Sequence, residues 1–309
     1  MISPPTRLTP RLLTIPVSFF LLFIIYSHHG IFTTLEQYSK TPILLPGSRQ
    51  PPSPLTHEAS TPSLHLIGDS SMCKGGTNDG VKGVKYEGWG EFMKDYFTIP
   101  VISHAISGRS CRMYSREGRF DKVLSLTNAN DYVIIQFGRN EKGTLHPKDN
   151  GKTVCPGPNI TETCTSNFQG NPTTVLTFGG YISNVTRIFK EKGVNVIIAS
   201  PTTNNAYSFS SDRFFDKPNE WVGYSEGVAR YEEVEYVDHF KYGIEMMRKL
   251  GKEGTQELFP VKSDRSHTNA LGADMMARAF VRGVVCGGRG LGKWVDGKAM
   301  ERVGGDCLD

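Results

Sequence analysis

Three short runs of aliphatic and β-branched residues limit what this chain can fold into. Leu64 to Gly68 reads Leu-His-Leu-Ile-Gly, Tyr132 to Phe137 reads Tyr-Val-Ile-Ile-Gln-Phe, and Val194 to Ala199 reads Val-Asn-Val-Ile-Ile-Ala. Side chains alternate between the two faces of a strand, so a run apolar at nearly every position needs cover on both faces. A parallel sheet between layers of helices meets that need. Weaker strand patterns stand at Ile99 to Ile102 and Val234 to Val237.

Helical patterns fall between these runs. Trp89, Phe92, Met93, Tyr96 and Phe97 follow i, i+3, i+4 spacing. So do Phe178, Tyr181, Ile182, Val185, Ile188 and Phe189, with Gly193 placed to end that helix. Leu271, Met275, Met276, Ala279, Phe280 and Val284 form a last stripe. Strand–helix alternation predicts right-handed crossovers and an α/β fold, a three-layer α/β/α sandwich. The segment from Lys142 to Val175 reads as an ordered surface insertion.

The chain has 309 residues and a net charge of +4. Arg7, Arg11, Lys40 and Arg49 against Glu36 and Glu58 supply half of that charge. The remainder is too small to indicate nucleic-acid binding. Arg7 and Arg11 precede a mostly apolar run from Leu12 to Tyr26. It is short for a membrane span, which takes about 20 residues, and fits a signal-peptide core. Ser27-His28-His29-Gly30 is a poor cleavage site, so an uncleaved type II anchor through residues 12–26 stands as the alternative. Residues 1–30 are therefore read as a targeting segment and 31–62, rich in Pro, Ser and Thr, as a stem. Residues 63–309 hold the globular domain. The expected location is the secretory pathway, either secreted or anchored with the domain outside the cytosol.

The cysteines fit that compartment. Cys155 with Cys164 and Cys286 with Cys307 bracket short loops and read as local disulfides. Cys73 and Cys111 are left either as a third bridge or as two buried thiols. Asn159-Ile-Thr161 and Asn184-Val-Thr186 are glycosylation sequons. No ligand spacing suggests a metal, and His28-His29 lacks a third partner. No Gly-x-Gly-x-x-Gly or Walker motif occurs, so no nucleotide cofactor is expected.

Four segments at strand ends hold the parts of a serine hydrolase. Gly68-Asp-Ser-Ser71 offers Ser70 as nucleophile, exposed by a tight turn into a helix, with Asp69 holding that turn. Asp264-Arg-Ser-His267 offers His267 as base and Asp264 as the carboxylate that fixes its ring. The backbone N–H groups of Ser70 and Gly108 and the Asn140 side chain supply three oxyanion donors. Each segment alone is commonplace: Gly-Asp-Ser is usually a turn, and Asp-x-x-His is often a helix cap. Together, each after a strand pattern, they describe one site. His57, His65, His104, His146 and His239 lack such company, and His65, inside a strand pattern, reads as packed. No Gly-x-Ser-x-Gly elbow occurs, which disfavours the α/β-hydrolase fold.

These blocks resemble the SGNH (GDSL-like) hydrolase superfamily. They are most similar to the fungal rhamnogalacturonan acetylesterases in Ile67-Gly-Asp-Ser-Ser-Met72, Gly88-Trp-Gly-Glu91, Gly108-Arg-Ser110 with Arg116-Glu-Gly-Arg-Phe120, Asp131-Tyr-Val133, Gln136-Phe-Gly138, Tyr236-Val-Asp-His239 and His267-Thr268. The two local cysteine pairs also match. The resemblance implies a flavodoxin-like sandwich around a five-stranded parallel sheet and deacetylation of pectic rhamnogalacturonan without metal or cofactor. It also implies a Ser70–His267–Asp264 triad and an oxyanion hole of Ser70, Gly108 and Asn140. The family's Gly-His-Asn-Asp block reads Gly138-Arg-Asn-Glu141 here. Arg139 and Glu141 then pair with each other, or Arg139 meets a galacturonate carboxylate of the substrate.

The expected partner is an acetylated cell-wall polysaccharide, handled by a monomer. The competing enzyme readings are an esterase acting on another acetylated polymer such as xylan and a polysaccharide O-acetyltransferase, which a type II anchor would suit. A catalytically dead wall-binding module is the non-enzymatic alternative, opposed by the complete triad.

Overall fold

A computed structural model of the chain describes residues 61–308, apart from positions 79 and 289. The expected targeting segment, and all of the stem but its last two residues, lie outside the described residues. Among the described residues, no helix is long and apolar enough to cross a membrane.

Five parallel strands form the sheet: β1 (Leu64–Gly68), β2 (Val101–Ser103), β3 (Tyr132–Gln136), β6 (Asn195–Ala199) and β7 (Glu235–Val237). Their order is β2-β1-β3-β6-β7. β1 pairs with β3 over its whole length, from Leu64 opposite Tyr132 to Gly68 opposite Gln136. The chain leaves β1 toward β2 on one side and returns past it to β3 on the other. The β1/β3 boundary is thus the topological switch point, where loops from neighbouring strands diverge and leave a crevice.

The strand alternation explains the apolar runs. Leu64, Leu66, Ile134, Ile197 and Ala199 pack on one face with Trp89, Met276 and Phe280. Ile67, Val133, Ile135, Val196 and Ile198 pack on the other with Tyr114, Phe178, Ile182 and Phe189. Both faces are covered, chiefly by the helices Phe178–Glu191 and Glu220–Tyr231 on one side and His239–Gln256 and Ala270–Cys286 on the other. Within a strand, His65 is 1% exposed and its ring stacks on His104 at 5.2 Å, which fits its reading as a packed residue.

Several expectations need correction. The stripe from Trp89 forms a 3-10 helix, Trp89–Asp95, not an α-helix. Gly88 and Gly90 lie close against the Met72–Cys73 backbone there; a Cβ on Gly88 would stand 2.3 Å from the Cys73 carbonyl oxygen, so the segment follows that contact. Leu271 is 52% exposed and Ile188 is 41% exposed, so each stands outside the buried stripe of its helix. Ser70 enters a run of turns, not a helix.

The insertion carries an antiparallel hairpin, β4 (Thr163–Phe168) with β5 (Asn171–Leu176). The Cys155–Cys164 disulfide ties its base, and Cys286–Cys307 ties the tail to the last long helix. Cys73 and Cys111 are buried free thiols, which removes the third-bridge alternative.

Candidate active site

The three catalytic candidates meet beyond the carboxyl end of β1; Ser70 follows that strand, whereas Asp264 and His267, expected after a strand, stand between the helices His239–Gln256 and Ala270–Cys286. Ser70 Oγ lies 3.0 Å from His267 Nε2, although 197 residues separate them in sequence. His267 Nδ1 lies 2.8 Å from Asp264 Oδ2. A carboxylate can only accept, so Nδ1 carries the proton and Nε2 presents its lone pair to the Ser70 hydroxyl.

Each member is held by its own local structure. Asp69 is 1% exposed and accepts from the Ser71 amide and hydroxyl, both at 2.9 Å, which closes the turn beneath Ser70. Burial raises the Asp69 pKa above its ordinary range. Asp264 accepts from the amides of Ser266 (2.9 Å) and His267 (3.1 Å) as well as from the imidazole. Burial alone would push its pKa up, but these bonds outweigh burial and leave it below the usual carboxylate value. Thr268 anchors the next position by bonding to the Glu87 carbonyl at 3.0 Å.

The oxyanion candidates are only partly gathered. Asn140 lines the same cavity as Ser70 and His267. Its Nδ2 donates to the Arg109 carbonyl at 3.1 Å, which ties it to the Gly108 turn. Gly108 takes φ 75°, a left-handed conformation that favours glycine, but it is not among the cavity-lining residues. The second hydrogen of Nδ2 is left for a ligand.

Arg139 and Glu141 do not pair. Glu141, 1% exposed, accepts from the Asn140 amide at 2.8 Å and from the Cys111 amide at 3.0 Å. Burial first, and then the charge of Asp69, raise its pKa to about 7. Arg139 turns instead toward the cavity, partly buried, with one long contact to the Ser266 carbonyl at 3.5 Å. Desolvation lowers its pKa, against the attraction of Asp69, Asp264 and Glu141.

The cavity has a volume of about 240 Å³. Its walls include residues the sequence did not single out, among them Lys142, Asn204, Asn219 and Trp221. Asn204 follows β6, so the strand-end rule points to it. Asn219 and Trp221 open the helix Glu220–Tyr231 and carry no sequence signal of their own. Trp221 comes close because Gly138 lies against it: a Cβ on Gly138 would stand 2.9 Å from the Trp221 Cβ, and its φ of 127° also favours glycine.

Below this surface, Gln136 ties the layers together. It accepts from the Trp89 indole at 2.9 Å and donates to the Ser200 carbonyl at 2.7 Å and to His239 Nδ1 at 2.9 Å. His239 Nε2 donates to the Met276 carbonyl at 2.9 Å. Burial lowers the His239 pKa to about 4, so its ring stays neutral. The expected glycosylation positions Asn159 and Asn184 are both exposed.

Comparisons with known proteins identify the family. Residues 64–280 match the model of the GDSL-like Lipase/Acylhydrolase family. The chain is 39% identical over 254 residues to a rhamnogalacturonan acetylesterase of Emericella nidulans, covering 82% of this chain and 96% of that protein. It is 23% identical over 228 residues to the probable rhamnogalacturonan acetylesterase YesY of Bacillus subtilis, covering 72% and 91%. The crystal structure of the Bacillus subtilis protein YxiM superposes with a TM-score of 0.57 at 20% identity over 75% of this chain and 58% of that one, a likeness of fold. The family match spans most of the chain and includes the Gly-Asp-Ser block after β1, so this chain belongs to the GDSL-like lipase/acylhydrolase family.

Proposed function

We propose that the chain is a serine esterase that removes O-acetyl groups from pectic rhamnogalacturonan. The observation that carries the chemistry is the Ser70–His267–Asp264 line, with contacts of 3.0 and 2.8 Å opening into a polar cavity. His267 takes the Ser70 proton as Oγ attacks the acetyl carbonyl. Asn140, with the amides of Ser70 and Gly108, receives the developing oxyanion. The imidazolium, stabilised by ionised Asp264, returns the proton to the sugar oxygen as the ester C–O bond breaks. Water then attacks the acetyl-enzyme with His267 again as base, which releases acetate and restores Ser70. No metal or cofactor enters these steps.

The substrate class is supported by the relatives named as rhamnogalacturonan acetylesterases, one of them 39% identical along nearly its whole length. Arg139, which lines the cavity and makes no ion pair among the described residues, suits a uronate-containing polymer. The disulfides Cys155–Cys164 and Cys286–Cys307 support an oxidising location outside the cytosol.

Acetate release from acetylated rhamnogalacturonan and from acetylated xylan tests this reading, with Ser70→Ala as control. Release from rhamnogalacturonan by the parent alone supports it. Release mainly from xylan overturns the polymer, and release by Ser70→Ala overturns the nucleophile.

A further inference from the structure

A recess of about 100 Å³ opens between the helices Arg119–Leu126 and Phe178–Glu191 and shares no residue with the catalytic cavity. Phe189 lies buried against it, Leu124 and Tyr181 are half-buried, and Ile188 is 41% exposed. One exposed aliphatic side chain is ordinary on a protein surface. Here it borders a hollow with two further partly covered apolar side chains, so one group seated there would take all three out of water together.

The recess carries its own attachment point. Asn184, the acceptor of the Asn184-Val-Thr186 sequon, is one of its walls. Helical spacing sets it between Tyr181, three residues before, and Ile188, four after. The two sequons differ in this respect. Asn159 turns its side chain back on the protein, donating to Glu162 at 3.2 Å and accepting from the Thr161 amide and hydroxyl at 3.0 Å. The Asn184 side chain is exposed and makes no hydrogen bond among the described residues. Ser115 and Asp121, on the facing helices, also line the recess; both are exposed, and their side chains make no hydrogen bond or ion pair among the described residues.

We propose that Asn184 carries an N-linked glycan whose first N-acetylglucosamine folds back over this recess, its acetyl methyl and apolar ring face covering Leu124, Tyr181 and Ile188. The donor is a lipid-linked oligosaccharide diphosphate: Asn184 Nδ2 forms the bond to the anomeric carbon and loses a proton, and the bond from that carbon to the diphosphate oxygen breaks. Thr186 is 0% exposed, so the sequon is accessible only before its helix folds, and the helix then packs beside a sugar already in place. Asp121 accepts from the sugar hydroxyls and Ser115 meets its N–H. The proposal rests on the secretory location drawn above and not on the reaction at Ser70.

The test is the full chain and its Asn184→Gln variant, made in a glycosylating secretory host and trimmed under native conditions by an endo-N-acetylglucosaminidase to one sugar per site. Peptide mass spectrometry should find Asn184 occupied. The trimmed parent should melt about 2–4 °C above trimmed Asn184→Gln, whereas the two chains made without glycosylation should melt together. Ile188→Ser keeps the sequon and should remove most of that difference, the signature of a packed sugar against a solvated one. Equal melting of the trimmed chains, a difference that survives Ile188→Ser, or dimerisation of the glycosylated parent that Ile188→Ser abolishes would each overturn the proposal, the last by giving the face to a second copy. Asn184 bare with Asn159 occupied removes this site alone; both bare removes the secretory location with it.

Discussion

The Glu141 carboxylate grips the Cys111 amide at 3.0 Å, and its other oxygen takes the amide of Asn140 at 2.8 Å. One buried side chain thus joins the loop after β3 to the start of the helix that follows the Gly108 turn. Both partners are donors, so only a carboxylate with two accepting oxygens satisfies them; an amide would turn an NH₂ toward one of them. Glu141→Gln should lower kcat about tenfold, by about 1.4 kcal/mol, with little change in KM, because Asn140 loses its alignment in the transition state. Steady-state kinetics on p-nitrophenyl acetate would show it, with thermal melting confirming the folded fraction because misfolding also lowers apparent kcat at constant KM; an unchanged kcat in folded Glu141→Gln overturns it.

The same residue sets part of the pH dependence of stability. Its folded pKa of about 7 exceeds its ordinary 4.5, so the folded state holds the proton more tightly. Glu141 therefore contributes stability that is full below about pH 4 and is lost as the pH rises through 7. His239 and His104, each lowered to about 4 chiefly by burial, act in the opposite sense. Their contribution is full above about 6.5 and is lost as the pH falls toward 4. Melting temperature against pH should thus rise more steeply from 4 to 7 in Glu141→Gln than in the parent.

Asp264→Asn should reduce kcat about 10³-fold or more, since an amide no longer fixes the imidazole with Nδ1 protonated. Because its bonds hold Asp264 below the ordinary carboxylate range, its titration should place no acid limb above about pH 4 in the parent's rate profile. A pH–rate series on the parent and the variant checks both statements.

Asn140→Ala should cost about 10²- to 10³-fold in kcat, the usual effect of deleting one oxyanion donor. Binding of substrate in the ground state should change little, so KM should stay within about threefold.

Gln136→Leu should destabilise the fold by about 2–4 kcal/mol, because the Trp89 indole and the Ser200 carbonyl lose their buried partner together. Chemical denaturation would measure it. The effect on kcat of the folded fraction should be small, since Gln136 touches none of the triad.

The sheet and the triad were legible because their signals are local. Apolar runs such as Tyr132–Gln136 mark strands, and Gly-Asp-Ser at the end of one marks chemistry; Asp-x-x-His was expected after a strand but stands between two helices, so its pattern and not its placement made it legible. The role of Glu141 was not legible, because its partners are backbone amides, and every residue carries those. Pairing it with Arg139 by charge was the natural expectation, and the geometry separates them. The helical spacing from Trp89 misled for a different reason: close contact of Gly88 and Gly90 with the Met72–Cys73 backbone overrides the 3.6-residue period.

The distance between Ser70 and His267 along the chain has a consequence for biosynthesis. β1 can form its pairs with β2 and β3 once the first half of the domain has been made, but Ser70 has no base until the segment before the last long helix arrives and Thr268 seats on Glu87. A nascent chain that ends before Thr268 has neither the cover that the last long helix gives one face of the sheet nor the Thr268–Glu87 contact, so the proposed site and that side of the core are completed by the same stretch of chain.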